Sequence, residues 1–387
     1  MATMSTPAQQ AEARHLLQVY GQLPLEVTSA KGVYLQAGKR KIIDFYGGHA
    51  VAALGYAHPD LLAALEKQAK TMYFQSNAVA LEVRAQAGDA LAAFAPAGLD
   101  RVFFVNSGAE ANENALRVAC RVTGRSRILA IEHGFHGRTA AAAAVTWGAA
   151  NSWYGFPRTP FDVGFIPRDD VAKAEEMING DTAAVILELV QGLAGAYDLD
   201  SGFVLTVAEA CKRAGALLII DEVQSGIGRT GAPFAANLYG ITPDMLTAAK
   251  ALGGGFPCSA LLMSEALAAT LKSGDLGTTF GGGPMACALV IAVLNVIKRD
   301  RLMDNVRVLS AEIRQRALAG PVEGIQGRGF LLGLRCRQPA KDVQAGLLER
   351  DVLVGTSSDP KVIRLLPPLT LEKQHVDILV NALSDIT

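Results

Sequence analysis

The run ALLII at residues 216–220 stops in Asp221-Glu222-Val223-Gln224, and the run DMLTAA at residues 244–249 stops in Lys250, just before the glycine-rich LGGGFP. Both runs have the length and branched character of buried strands. Between Asp221 and Lys250 lie 28 residues, about the length of one crossover joining parallel neighbours. Open sheets of parallel strands bind ligands beyond the strand C-terminal ends, so the two runs bring a carboxylate and an amine toward one ligand. A carboxylate there can hold a pyridine nitrogen protonated, or it can serve as a metal ligand or a cap. On its own segment the contest is even. A lysine before glycines is most often a solvated loop residue. Behind a buried strand, however, an ammonium is costly and an imine is not, which favours a Schiff-base role for Lys250 and breaks the tie for Asp221.

Outward from these runs, short apolar segments recur at residues 101–105, 127–131 and 183–189, with helical patterns at 110–122 and 206–214 between or beside them. That alternation predicts a mainly parallel sheet wrapped by helices. The segment RVFFV runs straight into Asn106-Ser107-Gly108-Ala109 and then into good helix formers. Small residues at a helix start leave backbone N–H groups free to bind a phosphate; a plain helix cap at Ser107 is an equal reading of this segment alone. Residues 32–46 alternate as a hairpin does, and GYAHPDLLAALEKQAK from Gly55 reads as a turn feeding an amphipathic helix. The alanine cluster at residues 140–144 reads as packing. After Gly283 long helices give way to short strands in GFLLGLRC and KVIRLLPPL, so a smaller C-terminal domain is expected there.

Composition excludes several classes of function. Half of the 387 residues are hydrophobic and 19% are charged, and the net charge is -1 without a run of either sign. Neither a nucleic-acid surface nor a polybasic membrane patch is expected, while the apolar excess points to a subunit interface. The longest apolar helical pattern, residues 286–297, falls short of the roughly 20 residues that a bilayer span needs. The N-terminus, MATMSTPAQQAEARHLL, lacks the pattern of a secretion signal, and the expected compartment is the cytoplasm. Cys120, Cys211, Cys258, Cys287 and Cys336 are scattered without metal-like spacing and read as buried free thiols.

Taken in order, FFVNSGAEANENALRVA, HGFHGRT, LLIIDEVQSGIGRTG, DMLTAAKALGGGFP, TTFGGGPMACA, RGFLLGL and IRLLPPL resemble the class III aminotransferases of the fold-type I pyridoxal-phosphate group. GVYLQAGKRKIIDFYGG extends the likeness over nearly the whole chain, and the most similar subgroup is acetylornithine aminotransferase and its relatives. The resemblance implies an α/β fold with a large domain built on a mainly parallel, mixed sheet and a smaller α+β C-terminal domain. Residues 1–50 would join the small domain and a dimer interface, 51–283 would bind pyridoxal 5'-phosphate, and 284–387 would form the small domain. The implied partners are an amino donor, 2-oxoglutarate and a second copy of the chain.

By the same resemblance, Lys250 carries the cofactor, Asp221 pairs with the pyridinium nitrogen and Gln224 approaches the phenolic oxygen. Phe135 and Val223 cover the two ring faces. Ser107, Gly108 and Ala109 bind the phosphate, as the helix-start argument also indicates. Thr279 reaches the phosphate held by the partner subunit. Glu188 takes a supporting role, with Leu189 where relatives have proline. Arg138 and Arg364 are the implied carboxylate receptors, because guanidinium binds a carboxylate in a bidentate fork. Tyr20 falls where relatives place a tyrosine near substrate. No metal is implied.

One segment departs from the pattern. Acetylornithine and ornithine enzymes usually read QGEGG or QGEAG where this chain has Gln191-Gly192-Leu193-Ala194-Gly195. The missing glutamate is the acid that can pair with the counterpart of Arg364. A partly buried charge left without that partner costs on the order of a few kcal/mol, so Leu193 is expected to enlarge the donor pocket or make it more apolar. The implied reaction moves the terminal amine of an acetylornithine-like donor to 2-oxoglutarate. Succinylornithine, acetyl-lysine or carrier-bound lysine, ornithine, 4-aminobutyrate and a same-fold aminomutase are the alternatives within the fold. A noncatalytic phosphate- or nucleotide-binding protein is the alternative outside it, though neither GxGxxG after the first strand nor GxxxxGK[ST] occurs.

Overall fold

The computed structural model describes residues 6–386. The first five residues of the N-terminal reading, and Thr387 at the end of the expected small domain, lie outside the described residues. An N-terminal meander comes first: β1 (Ser29–Lys31), β2 (Tyr34–Ala37) and β3 (Arg40–Asp44) pair antiparallel, turning at Gly38 with its φ of 58°. A proline at its first turn starts the helix Pro59–Thr71.

Seven strands then form the central sheet: β4 (Arg101–Val105), β5 (Arg127–Ile131), β6 (Asp162–Ile166), β7 (Thr182–Leu187), β10 (Leu217–Asp221), β11 (Met245–Ala248) and β12 (Ser259–Met263). The short ribbon β8 (Val190–Gln191) and β9 (Tyr197–Asp198) lies between β7 and β10 in sequence. Across the sheet the order is β4-β12-β11-β10-β7-β5-β6. β12 runs antiparallel to both its neighbours, and the other pairings are parallel.

Both faces of the sheet are covered, as a parallel sheet requires. Strand side chains alternate with period two: Leu218 and Ile220 enter a core that includes Phe203, Val207 and Cys211 of the helix Ser201–Ala214, while Ile219 enters the opposite one. That second core is roofed by Ala115, Leu116 and Ala119 of the helix Gly108–Thr123. β6 and β12 did not stand out in the sequence. β12 is a short apolar run behind GGGFP, and such a run alone is as compatible with buried coil or helix as with a strand. β7 ends two residues sooner than expected, because Glu188 leaves the ladder to accept hydrogen bonds from Phe135 N and Gly192 N.

Beyond the apolar helix Pro284–Arg299 and the helix Leu302–Arg316, a second sheet forms from β13 (Val322–Arg328), β14 (Leu331–Cys336), β16 (Gly355–Thr356) and β17 (Val362–Leu365), in the order β13-β14-β17-β16. Between them β15 (Val352–Leu353) pairs parallel with β3, Val352 opposite Ile43. Four of the five cysteines are buried and Cys120 is half-buried; all are free thiols. No described helix is long and apolar enough to cross a membrane.

Candidate active site

β10 and β11 are hydrogen-bonded parallel neighbours, with Asp221 in register with Thr247. Asp221 therefore closes one strand while Lys250 follows the other by two residues, and both line one cavity of about 740 Å³. Lys250 has φ 46°, a left-handed backbone for a residue with a side chain. Such strain persists only where the surrounding structure enforces it, and it gathers at functional sites. Among the described residues the Lys250 ammonium has no hydrogen-bond or ion-pair partner. Burial pushes its ammonium below the usual lysine range, Asp221 and Glu188 pull it back and Arg364 pushes the same way as burial. A lysine biased toward its neutral amine is a nucleophile suited to a carbonyl carbon.

Asp221 is held from three directions. Its Oδ2 accepts from His136 Nδ1 and Asn112 Nδ2, both at 2.8 Å, and its Oδ1 accepts from Val223 N at 3.0 Å. Asn112 also donates to His136 O at 2.7 Å and accepts from Thr247 Oγ1 at 2.7 Å. All four side chains are buried. With Nδ1 donating, Nε2 of His136 is left without a partner, a buried orphan. The network fixes one carboxylate in orientation while it faces the cavity.

The start of the Gly108–Thr123 helix supplies the opposite end. Ser107 caps it by accepting from Glu110 N at 3.2 Å, and Ser107, Gly108 and Ala109 line the cavity. Val223 lies directly against this turn: a Cβ on Gly108 would come within 2.7 Å of Val223 Cγ1. Only glycine permits that approach. Phe135 lines the same cavity with its backbone N donating to Glu188 Oε1 at 2.8 Å, and Gly192 N donates to Glu188 Oε2 at 3.0 Å. Glu188 thus clamps two loops; burial, then Asp221, raises its carboxyl above the ordinary range, with His136 and the two backbone N–H groups opposing.

Of the remaining expected residues, Gln224 lines the cavity and donates to His49 O at 3.3 Å. Arg364 is buried, and its Nε, Nη1 and Nη2 donate to Thr356 O, Gly192 O and Tyr46 Oη at 2.7, 3.1 and 3.0 Å. Arg138 is exposed at the rim with its guanidinium 4.4 Å from the Trp153 ring centre, and Tyr20, 83% exposed, stands at the mouth. Thr279 is exposed and does not line this cavity. Tyr46, His49, Asn112 and His136 escaped the sequence reading. His136 stands inside HGFHGRT, flanked by Phe135, and Asn112 is one helical turn beyond Gly108; those positions are the only local signals they carry.

The arrangement fits pyridoxal phosphate. An unpaired, half-buried amine suits its aldehyde, a braced carboxylate suits its ring nitrogen, a helix start suits its phosphate, and Phe135 and Val223 on the walls of the same cavity offer apolar surface to a flat ring. Among the described residues no cluster of histidine, cysteine and acids could hold a metal ion.

A family model described as aminotransferase class-III matches residues 17–387. The chain is 37% identical over 378 residues to the acetylornithine aminotransferase of Methanosarcina acetivorans, covering 96% of this chain and 94% of that protein. It is 40% identical over 373 residues to the acetylornithine aminotransferase of Mycobacterium bovis, covering 95% and 92%. Among solved structures, ornithine aminotransferase from Toxoplasma gondii superposes with a TM-score of 0.90 at 29% identity, over 97% of this chain and 93% of that one. Acetylornithine aminotransferase from Elizabethkingia anophelis superposes with a TM-score of 0.86 at 29% identity, over 97% of each chain.

Proposed function

Because the chain belongs to the class-III aminotransferases, it is a pyridoxal-phosphate-dependent transaminase, and we propose that it moves the terminal amine of an acetylornithine-like donor to 2-oxoglutarate. The observation that carries this reading is the single cavity shared by Lys250, Asp221, the Ser107–Ala109 turn and Arg364. Relatives named acetylornithine aminotransferase at 35–40% identity support the donor class. When bound, the cofactor supplies an electron sink for the carbanion that deprotonation of the donor leaves.

In the proposed assignment Lys250 holds the cofactor between turnovers. Its amine, when not holding the cofactor, would serve as general base toward the donor's reacting carbon. Asp221 keeps a proton on the ring nitrogen; His136, Asn112 and Val223 N hold its carboxylate still while it does so. Phe135 and Val223 cover the ring faces, Gln224 meets the phenolic oxygen and Ser107, Gly108 and Ala109 take the phosphate. Glu188 supports the cavity wall, Arg364 and Arg138 receive carboxylates and Tyr20 closes on the substrate from the rim.

The active form in this reading is a cytoplasmic homodimer acting in amino-acid biosynthesis of the arginine type, with Thr279 of each subunit serving the other's phosphate. Residues 51–283 form the cofactor domain, and residues 1–50 join 284–387. An exposed apolar patch supports the dimer: Tyr73, Phe74 and Phe280 are exposed, the rings of Phe74 and Phe280 lie 5.3 Å apart, and Asn77 binds Thr278 O and Gly281 O beside Thr279.

Loaded protein should be yellow, and a panel of amines should bleach its visible band in one half-reaction, N-acetylornithine among the fastest. Lys250→Ala should lose the band and at least about 1,000-fold in turnover. A Lys250→Ala protein with full turnover, or a parent that stays colourless with pyridoxal phosphate, would refute the reading.

A further inference from the structure

Arg364 is buried and lines the active-site cavity, yet no carboxylate lies within 4.0 Å of it among the described residues. Three neutral oxygens take three of its five N–H groups: Thr356 O, Gly192 O and Tyr46 Oη. One N–H remains on each terminal nitrogen, the pair that a carboxylate engages end-on. Leu193, in the position where an acid would have cancelled this charge, lines the same cavity as an apolar side chain.

Tyr46 Oη accepts from Arg364 Nη2, and its own proton is left to point away from the guanidinium. Tyr46 Oη lies 2.6 Å from His49 Nδ1, and the two rings pack with their centres 4.7 Å apart. Burial, then Arg364 and Lys250, lower the His49 pKa from its ordinary value, which favours the neutral ring. With Nδ1 accepting, donation runs from Arg364 to Tyr46 to His49.

The backbone is bent to make this contact. Gly47, Gly48, His49 and Ala50 have φ of 55°, 55°, 64° and 71°, four left-handed residues in a row, two of them with side chains. For those two the left-handed backbone brings Cβ against the following carbonyl oxygen. Asp44 holds the turn, accepting from Tyr46 N at 2.7 Å and Gly47 N at 2.9 Å, and Gln224 ties His49 O to the cavity at 3.3 Å. The Tyr46 ring lies flat on Gly355: a Cβ there would fall 2.0 Å from Tyr46 Cε2. The neighbouring residue, Thr356, supplies the carbonyl that takes Arg364 Nε.

We propose that Tyr46 and His49 are positioning residues that hold the Arg364 guanidinium in place on the cavity wall, so that its grip on a substrate carboxylate depends on both. The inference rests on the transaminase reading. It makes His49 and Tyr46 positioning residues that act through Arg364.

The test uses glutarate, a dicarboxylate that cannot react, titrated by calorimetry into cofactor-loaded protein, with the visible band recorded separately. Tyr46→Phe, which keeps the ring, should weaken glutarate about ten-fold, and His49→Ala several-fold. The double variant should bind no worse than Tyr46→Phe alone, because one chain is cut in two places. Gly355→Ala, which displaces the tyrosine without deleting it, should fall between. Cofactor loading should be unchanged in all four. Glutarate that fails to bind the parent, Tyr46→Phe binding within two-fold of the parent, or additive losses in the double variant would each overturn the relay. A parent that shows no band with pyridoxal phosphate would sink the transaminase reading and the relay with it, whereas a banded parent whose glutarate affinity ignores Tyr46 and His49 would sink the relay alone.

Discussion

Asp221 and Glu222 are adjacent acids with opposite lives. Asp221 faces the cavity and is held by three donors, whereas Glu222 turns into the protein, its Oε1 accepting from Ala236 N at 2.7 Å and its Oε2 paired with Ser225 Oγ at 2.6 Å. Burial pushes Glu222 up to about 7, against the lowering of its hydrogen bonds. Its folded value lies above the unfolded one near 4.3, so between about pH 4.5 and 7 the native state holds a proton that the unfolded chain has released. The stability it contributes is full at the acid end of that window and falls as pH rises. Urea unfolding at pH 5 and pH 8 should show a loss on the order of 3 kcal/mol in the parent that Glu222→Gln removes; an equal slope in both proteins would place the titration elsewhere. At this scale Lys250 and Asp221 were legible because each closes an apolar run. His136 and Asn112 were not, since they stand 85 and 109 positions from Asp221 and meet it only once the chain between has folded.

The helix Gly108–Thr123 is defined by its first turn as much as by its apolar face. Strand β4 runs into it through Ser107, and Ser259 Oγ at the start of β12 donates to Ser107 O at 2.8 Å, so the turn is anchored to the sheet on which it sits. Gly108→Ala would drive a methyl into Val223, which lines the cavity. Overpacking of this kind costs about 1–3 kcal/mol. Cofactor affinity, measured by fluorescence titration, should fall about ten-fold while the far-ultraviolet spectrum is kept; an unchanged affinity would mean that the turn does not touch the phosphate. The parallel strands and this helix were readable because their periodicity is local. The left-handed turn at Gly47–Ala50 was not, because its glycines marked a bend but nothing nearby specified that His49 would be carried through it.

At the scale of the molecule, the exposed aromatic patch around Phe280 and the exposed Thr279 belong to one argument. If two copies share their active sites, dilution should separate them and take activity with it. Sedimentation velocity of Phe280→Asp should show a shift toward monomer together with weaker cofactor retention, whereas a monomeric protein that keeps its cofactor would remove Thr279 from the site. Composition had pointed to an interface through its apolar excess, but where that surface lies depends on how residues 73–80 and 278–283 meet, which no local pattern encodes.

The parallel contact between β3 and β15 joins Ile43 to Val352, and with it the opening of the chain to its closing stretch. Roughly 300 residues must be synthesised between the two strands, which at ~5–20 residues per second takes tens of seconds. During that interval β3 emerges from the ribosome with one edge unmatched, a surface on which another nascent chain could zip. The charged pair Arg40-Lys41 at its start acts there as a gatekeeper, guarding a seam that stays open until β15 has been made.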